Sequence, residues 1–488
     1  MAPHRSCSLW VALLALDATV HALVVRPATA VSSQARFRTG AANEAVVARG
    51  ATGGQGDGVK GKAAVVALTQ QSEETIPAAT LRDLGEAAEL YGIEEQDVYG
   101  GGAQWMADFE QEVASTLGKE AAVFCPSGVM AQLISLKIHA ALGHGGVENA
   151  GEGAAFGGGA SAPSQDSFVC HPSSHLLLHE ERAYEKVLGF DAVPLGVMER
   201  PASYEDLCEA LRPYDDSSSE LRPPSSVVLE LPHRELGGAC TSRKDVKKMA
   251  KLLKDRGISF HCDGARLWEA QPFYGEPFGD LCSSFDSVYV SFYKGLNGMT
   301  GAMLIGSAPF VAEARVWLRR FGGNVYTSLP YAVSCLHAFR KSMGTFEDRW
   351  HKLRRVAAMI DALALEGNRK KSAIGTPSGA SGVAERASEA SAPPRVRFEP
   401  PSPQCSLVHC YVRGSQAVLE RARDEVLEKT GVKVFGRLRG TDGEGSNGRP
   451  GECYFEWNMG PTNGSIDDAV FAEAWAAFLD AVESCEVG

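Results

Sequence analysis

The sequence lacks an excess of positive charge. Its 48 Lys and Arg stand against 60 Asp and Glu, a net charge of −12. Non-specific nucleic-acid binding needs a basic surface, so no nucleic-acid partner is expected. Paired cysteines are also missing. Twelve Cys are scattered along 488 residues and none falls in a CxxC pair. That excludes a disulfide scaffold and suits a reducing compartment. Cys405 and Cys410, with His409 between them, come nearest to a metal cluster. No second ligand pair accompanies them, and no metal is expected. Long apolar runs are absent too. The stretch from Leu9 to Leu16 is followed by Asp17 and His21, too short and broken for a confident membrane span. Glycine is abundant, yet no phosphate-loop or dinucleotide pattern occurs.

What remains is a composition of 44% hydrophobic and 22% charged residues, ordinary for a soluble globular chain of two or three domains. The first residues stand apart. Arg5, an apolar stretch and small residues around Ala28 to Ala30 resemble a signal sequence, and Arg26, Arg36 and Arg38 follow with no Glu before Glu44. Residues 1–43 therefore read as a signal or transit-like segment, absent from a mature, membrane-free form. A plastid or another organelle is the expected destination. A tail with no address, leaving the chain cytoplasmic, is the other reading. Residues 44–79 read as a disordered linker, 80–344 as a large α/β domain, and 345–488 as a small C-terminal α+β domain with a disordered insertion at 367–400. Further Gly- and Ser-rich stretches at 143–167 and 440–452 read as surface insertions.

Between the insertions, strands and helices alternate. AAVFCP at 121–126 precedes VMAQLISLKIHAAL, and SSVVLELP at 225–232 precedes DVKKMAKLLKDRG. In the latter, Val246, Met249, Leu252 and Leu253 share one face at the 3.6-residue period. ISFHCD and SVYVSFYKG follow. This alternation predicts a mostly parallel central sheet covered by helices.

In open sheets of this kind ligands bind at the carboxyl ends of strands. Four such ends carry polar groups. CPSGVMAQ places Ser127, Gly128 and Val129 at a helix start, which suits a phosphate but is also an ordinary cap. HPSSHLLLHE offers His175, and HCDGARLWEA offers Asp263 and Arg266. SFYKGLNG offers Lys294 after an apolar strand, where loss of hydration turns an amine into a usable nucleophile. A lone Lys or Asp is usually a bland surface residue. In this order and spacing they match the fixtures of pyridoxal 5'-phosphate: an amine, a carboxylate for the ring nitrogen and a helix N-terminus.

The same segments resemble the threonine aldolase and β-eliminating lyase family. HCDGARLWEA is similar to its HLDGARL-type segment, SFYKGLNGMTGAMLIG to its SLSKGLGAPVGSVLVG-type segment, and CPSGVMAQLISL to its VPSGTMGNLIAL-type segment. SSHLLLHEERA is similar to a SHIxxxExGA-type segment and DVYGGG to a DxxYG-type segment. The resemblance runs from about Thr80 to Cys335 and weakly beyond. It implies the fold-type I architecture, with the Schiff-base lysine at Lys294, the ring-nitrogen partner at Asp263 and the ring-stacking histidine at His175. It further implies an active-site Tyr99, phosphate contacts at Ser127, Gly128 and Val129, and Arg266 at the cofactor edge or the substrate carboxylate.

The activity so implied is retro-aldol cleavage of a β-hydroxy amino acid to glycine and an aldehyde, in a homodimer or homotetramer. β-Elimination, transamination and a catalytically silent binding protein are the alternatives. The departures fall mainly on substrate fixtures. The phosphate Thr of the family is Val129 here, and the Ser before the lysine is Tyr293. ELPHRELGG stands for an ENxHNxxGG-type segment. The N-terminal SDTVTxPT-type segment is not recognisable near QSEETIPAAT, and the C-terminal RxVTH-type arginine is replaced within ECYFEWNMG.

Overall fold

Among the described residues, thirteen short strands and the helices between them build three sheets. The computed structural model describes residues 65–72, 76–99, 103–142, 166–215, 221–374, 394–440 and 448–487. The strands are β1 (Val66–Ala67), β2 (Ala121–Cys125), β3 (Ser167–Cys170), β4 (Asp191–Pro194), β5 (Ser226–Glu230), β6 (Ser259–Gly264) and β7 (Ser287–Ser291). They continue with β8 (Ala302–Gly306), β9 (Val396–Glu399), β10 (Leu407–Arg413), β11 (Val432–Lys433), β12 (Arg439–Gly440) and β13 (Glu452–Asn458).

The large sheet has seven strands in the order β2-β8-β7-β6-β5-β3-β4. β8 runs against both its neighbours, and every other pairing is parallel. All residues of β5, β7 and β8 are buried. Such near-continuous apolar strands are what a sheet covered on both faces requires. The Arg243–Arg256 helix shows how local signals place a cover. Ser242 accepts from Asp245 N–H at its start, and Gly257 ends it at a φ of 67°. Its Val246, Met249 and Leu253 enter the core, while Leu252 packs at the edge.

The second sheet has the order β12-β13-β10-β9, all antiparallel. The Phe346–Ile374, Gln416–Thr430 and Asp468–Val487 helices belong with it, and its core holds Trp457, Trp475, Phe455 and Phe478.

Two expectations need correction. The disordered linker does not extend to residue 79. β1 pairs in parallel with β11, Leu68 is fully buried in the second core, and a helix begins at Pro77. A two-residue strand is too short to leave a periodic signal. Nor does the 367–400 insertion keep those bounds: the helix from Phe346 reaches Ile374, and β9 pairs with β10. The address-like residues 1–43 and residues 143–165, 375–393 and 441–447 of the insertions lie outside the described residues. No helix among the described residues is long and apolar enough to cross a membrane.

Candidate active site

Parallel strands end together, so their last residues share one edge of the sheet. Glu230 of β5 and Asp263 of β6 are register partners at that edge, and Lys294 lies three residues past β7. A turn holds the lysine in place. Asn297 N–H donates to the Lys294 carbonyl at 2.9 Å, and Gly298 N–H to the Phe292 carbonyl at 2.7 Å. These ends, with Gly128, Val129, His175, Glu180, Ala265, Tyr289 and Tyr293, line one cleft.

The electrostatics of the cleft are mutual. Asp263 is buried, and its Oδ1 accepts from Ala265 N–H at 3.1 Å. Burial, then the nearby Glu230 charge, push its carboxyl up to about 7. Loss of hydration, then the Arg266 charge, pull the Lys294 amine down to about 8. Glu230 accepts from Arg234 N–H at 2.9 Å and from His175 N–H at 3.3 Å. Burial pushes its carboxyl up, but His233 and these partners outweigh that and hold it low.

His175 starts a one-turn helix, and its Nδ1 lies 3.0 Å from Glu180 Oε1. A carboxylate there accepts a hydrogen bond from Nδ1–H, which fixes the tautomer and leaves Nε2 as the basic atom. Behind it, Ser173 Oγ lies 2.8 Å from His171 Nδ1 and 2.9 Å from His233 Nε2. His233 Nδ1 in turn lies 3.8 Å from Glu230.

The N-terminus of the Gly128–Leu142 helix forms the end of the cleft. Ser127 Oγ accepts from Met130 N–H at 3.3 Å. The first N–H groups of a helix have no intrahelical acceptor and favour an anion. Gly128 is obligatory for a local reason: a Cβ there would stand 2.1 Å from the Tyr289 hydroxyl.

Of the residues singled out from sequence, Lys294, His175, Asp263, Gly128 and Val129 line the cleft, with Ser127 beside it as the cap. Two do not join them. Tyr99 is 52% exposed, has a φ of 53° and packs edge-on against Tyr326 at 5.4 Å. It does not line the cleft of its own chain. Arg266 is buried outside the lining of the cleft, with Glu456 and Glu269 flanking its guanidinium. Glu230, Glu180, His233 and Tyr289 went unrecognised. Glu230 ends an apolar strand just as Asp263 does, and that signal was available. Glu180 had none.

The donor set fits pyridoxal phosphate: an amine of lowered basicity, a buried carboxyl, an imidazole and a helix N-terminus. Tyr293 can offer a hydroxyl where Val129 offers none. Among the described residues no group of His, Cys, Asp or Glu is placed to hold a metal ion.

Fold and cleft together define an α/β enzyme architecture of fold type I. A crystal structure from Listeria monocytogenes, provisionally named an L-allo-threonine aldolase, superposes with a TM-score of 0.66 at 28% identity, covering 86% of this chain and 96% of that one. The beta-eliminating lyase family model matches residues 75–375, and the chain belongs to that family. Low-specificity L-threonine aldolase 1 of Arabidopsis thaliana is 27% identical over 52% of this chain and 65% of its own length. The low specificity L-threonine aldolase of Saccharomyces cerevisiae is 25% identical over 54% of this chain and 58% of its own length. The chain thus spans less than two thirds of these relatives.

Proposed function

We propose that this chain is a pyridoxal-phosphate-dependent lyase that cleaves a β-hydroxy amino acid such as threonine into glycine and an aldehyde. One observation carries the reading: Lys294, Asp263 and His175, from three separate stretches of sequence, meet in one cleft at the start of the Gly128 helix. Membership in the beta-eliminating lyase family and the threonine aldolases among its relatives support it.

Lys294 would attach the cofactor through its amine, and Asp263 would face the ring nitrogen. His175 would lie against the ring. Ser127, the N–H groups of Gly128 and Val129, and Tyr293 would hold the phosphate. When bound, pyridoxal phosphate supplies a sink for the electron pair left on the α-carbon. The chain supplies the rest. Glu180 fixes the His175 ring with Nε2 as its basic atom, ready to take the proton of the β-hydroxyl as the Cα–Cβ bond breaks. Asp263, with Glu230 beside it, would keep a proton at the ring nitrogen. The Lys294 amine, lowered to about 8, is partly neutral near physiological pH and can carry a proton to and from the α-carbon. We also infer a homodimer or homotetramer, since symmetric assemblies are the rule.

The test is a product assay on cofactor-loaded protein with L-threonine, L-allo-threonine and L-serine. Glycine and aldehyde in equal amounts are expected. Keto acid and ammonia would indicate β-elimination. A keto acid formed only with an added amino acceptor would indicate transamination. No product from any of them would overturn the reading in favour of a silent binding protein.

A further inference from the structure

Arg266 is a buried arginine with too few partners. Its side chain is 10% exposed, its Nη2 donates to Glu456 Oε1 over a long 3.3 Å, and its Nε comes only to 3.9 Å from Glu269. That Nε–H has no hydrogen-bond partner. Arg234, on the loop after β5, approaches the other oxygen of Glu456 to 2.9 Å, but off the line a hydrogen bond needs, and that oxygen is also left without one. Glu456 belongs to β13 of the second sheet, opposite His409 of β10, and Asn458 Nδ2 donates to its Oε1 at 3.1 Å. One carboxylate from the small sheet therefore sits between two guanidiniums from the large one. Charge balances only with Glu269 beside Arg266 and with Glu235, which accepts from Arg234 Nη1 at 2.8 Å, and donors and acceptors are still left unfilled.

Both guanidiniums bear on Lys294, whose amine they make less basic. An amino acid handled at that amine carries its α-carboxylate two bonds from its own nitrogen. It needs a cation within that short reach, and two stand beside the cleft: Arg266 directly follows the cleft-lining Ala265, and Arg234 N–H donates to the cleft's Glu230 at 2.9 Å. Both face Glu456. We propose that Glu456 is an internal carboxylate that occupies this arginine pair and competes with the α-carboxylate of the substrate. It is then a specificity-determining residue that sets how tightly a free amino acid is held. This rests on the reading that an amino acid is handled at Lys294.

The competition is uneven. A tethered carboxylate loses no translational freedom on pairing, whereas a free ligand does. Burial works against the Glu456 charge, but Arg266 and Arg234 outweigh it and hold the carboxyl down to about 2, so neutral pH does not release it. A substrate carboxylate displaces Glu456 or binds without full use of the pair. The unfilled Arg266 Nε–H is what makes a better-placed anion welcome.

Glu456→Gln keeps the shape and removes the charge. Acetate, a carboxylate with no amine, should raise the melting temperature of the purified variant and not of the parent, at ionic strength matched with chloride. On cofactor-loaded protein, followed by absorbance, glycine should bind the variant about tenfold tighter or better, while methylamine, which is glycine without its carboxylate, should bind as before. Equal effects of acetate on both proteins, or parallel shifts for glycine and methylamine, would overturn the proposal. If Glu456→Gln does not fold, Glu456→Asp withdraws the carboxylate and keeps its charge. Its glycine-to-methylamine preference should then rise, and an unchanged preference would overturn the proposal. Protein that never takes up the cofactor would defeat the earlier reading alone, because the acetate comparison needs none.

Discussion

Lys294 and Asp263 show how one residue's state depends on its neighbours. Buried and near an arginine, the amine loses basicity despite the acids around it, and the carboxyl, buried beside Glu230, gains it. If Lys294 carries the cofactor, borohydride reduction and peptide mapping will label Lys294 in the parent and nothing in Lys294→Ala. The carboxyl makes a second prediction, in cofactor-free protein. With Asp263 raised to about 7 from an unfolded value of about 4, the native state binds more protons between those limits. Its stability is fully present below about 4 and declines as pH rises toward 7. Melting curves across that window should fall more steeply for the parent than for Asp263→Asn. Loaded with cofactor, the same variant should lose roughly 100-fold or more in turnover, because a neutral amide cannot sustain the charge at the ring nitrogen. Parent-level turnover would remove Asp263 from this role.

The elements make their own demands. The Gly128 helix reaches the cleft only because no side chain separates it from Tyr289, which is buried and cannot retreat. Gly128→Ala should cost about 1–3 kcal/mol in denaturant unfolding and weaken cofactor uptake. Adding Tyr289→Phe, which deletes the nearest atom, should restore part of both losses. The short β1 segment is tested by Leu68→Ala. A fully buried leucine in the second core should cost about 2–5 kcal/mol, whereas a linker residue would cost almost nothing.

For the whole molecule, the large sheet aligns the catalytic strand ends and the small sheet brings Glu456 to them. A scattered set of exposed apolar side chains, among them Ile76, Leu81, Leu90, Tyr326 and Tyr331, gathers on the early helix and on and near the Leu329–Ser342 helix. Those two helices pack together, and their exposed apolar side chains are candidates for contact in the assembly proposed above. Light scattering should give a mass of at least twice the 52.0 kDa of the chain. A fully active monomer would contradict the proposed assembly.

The alternation of apolar strands with amphipathic helices made the parallel sheet legible in sequence, because burial on both faces demands unbroken apolar strands. HCDGARL and SFYKGLNG made Asp263 and Lys294 legible, because a charge closing an apolar strand is conspicuous. The pairing of those strands was beyond local pattern. Only the tertiary structure put β5 beside β6, and with it Glu230 beside Asp263, since register is settled by contacts distant in sequence. For the same reason it alone parted Tyr99 from the cleft and turned Arg266 to Glu456, 190 residues away. Local sequence can offer a charge at a strand end; which opposite charge meets it depends on how two sheets pack.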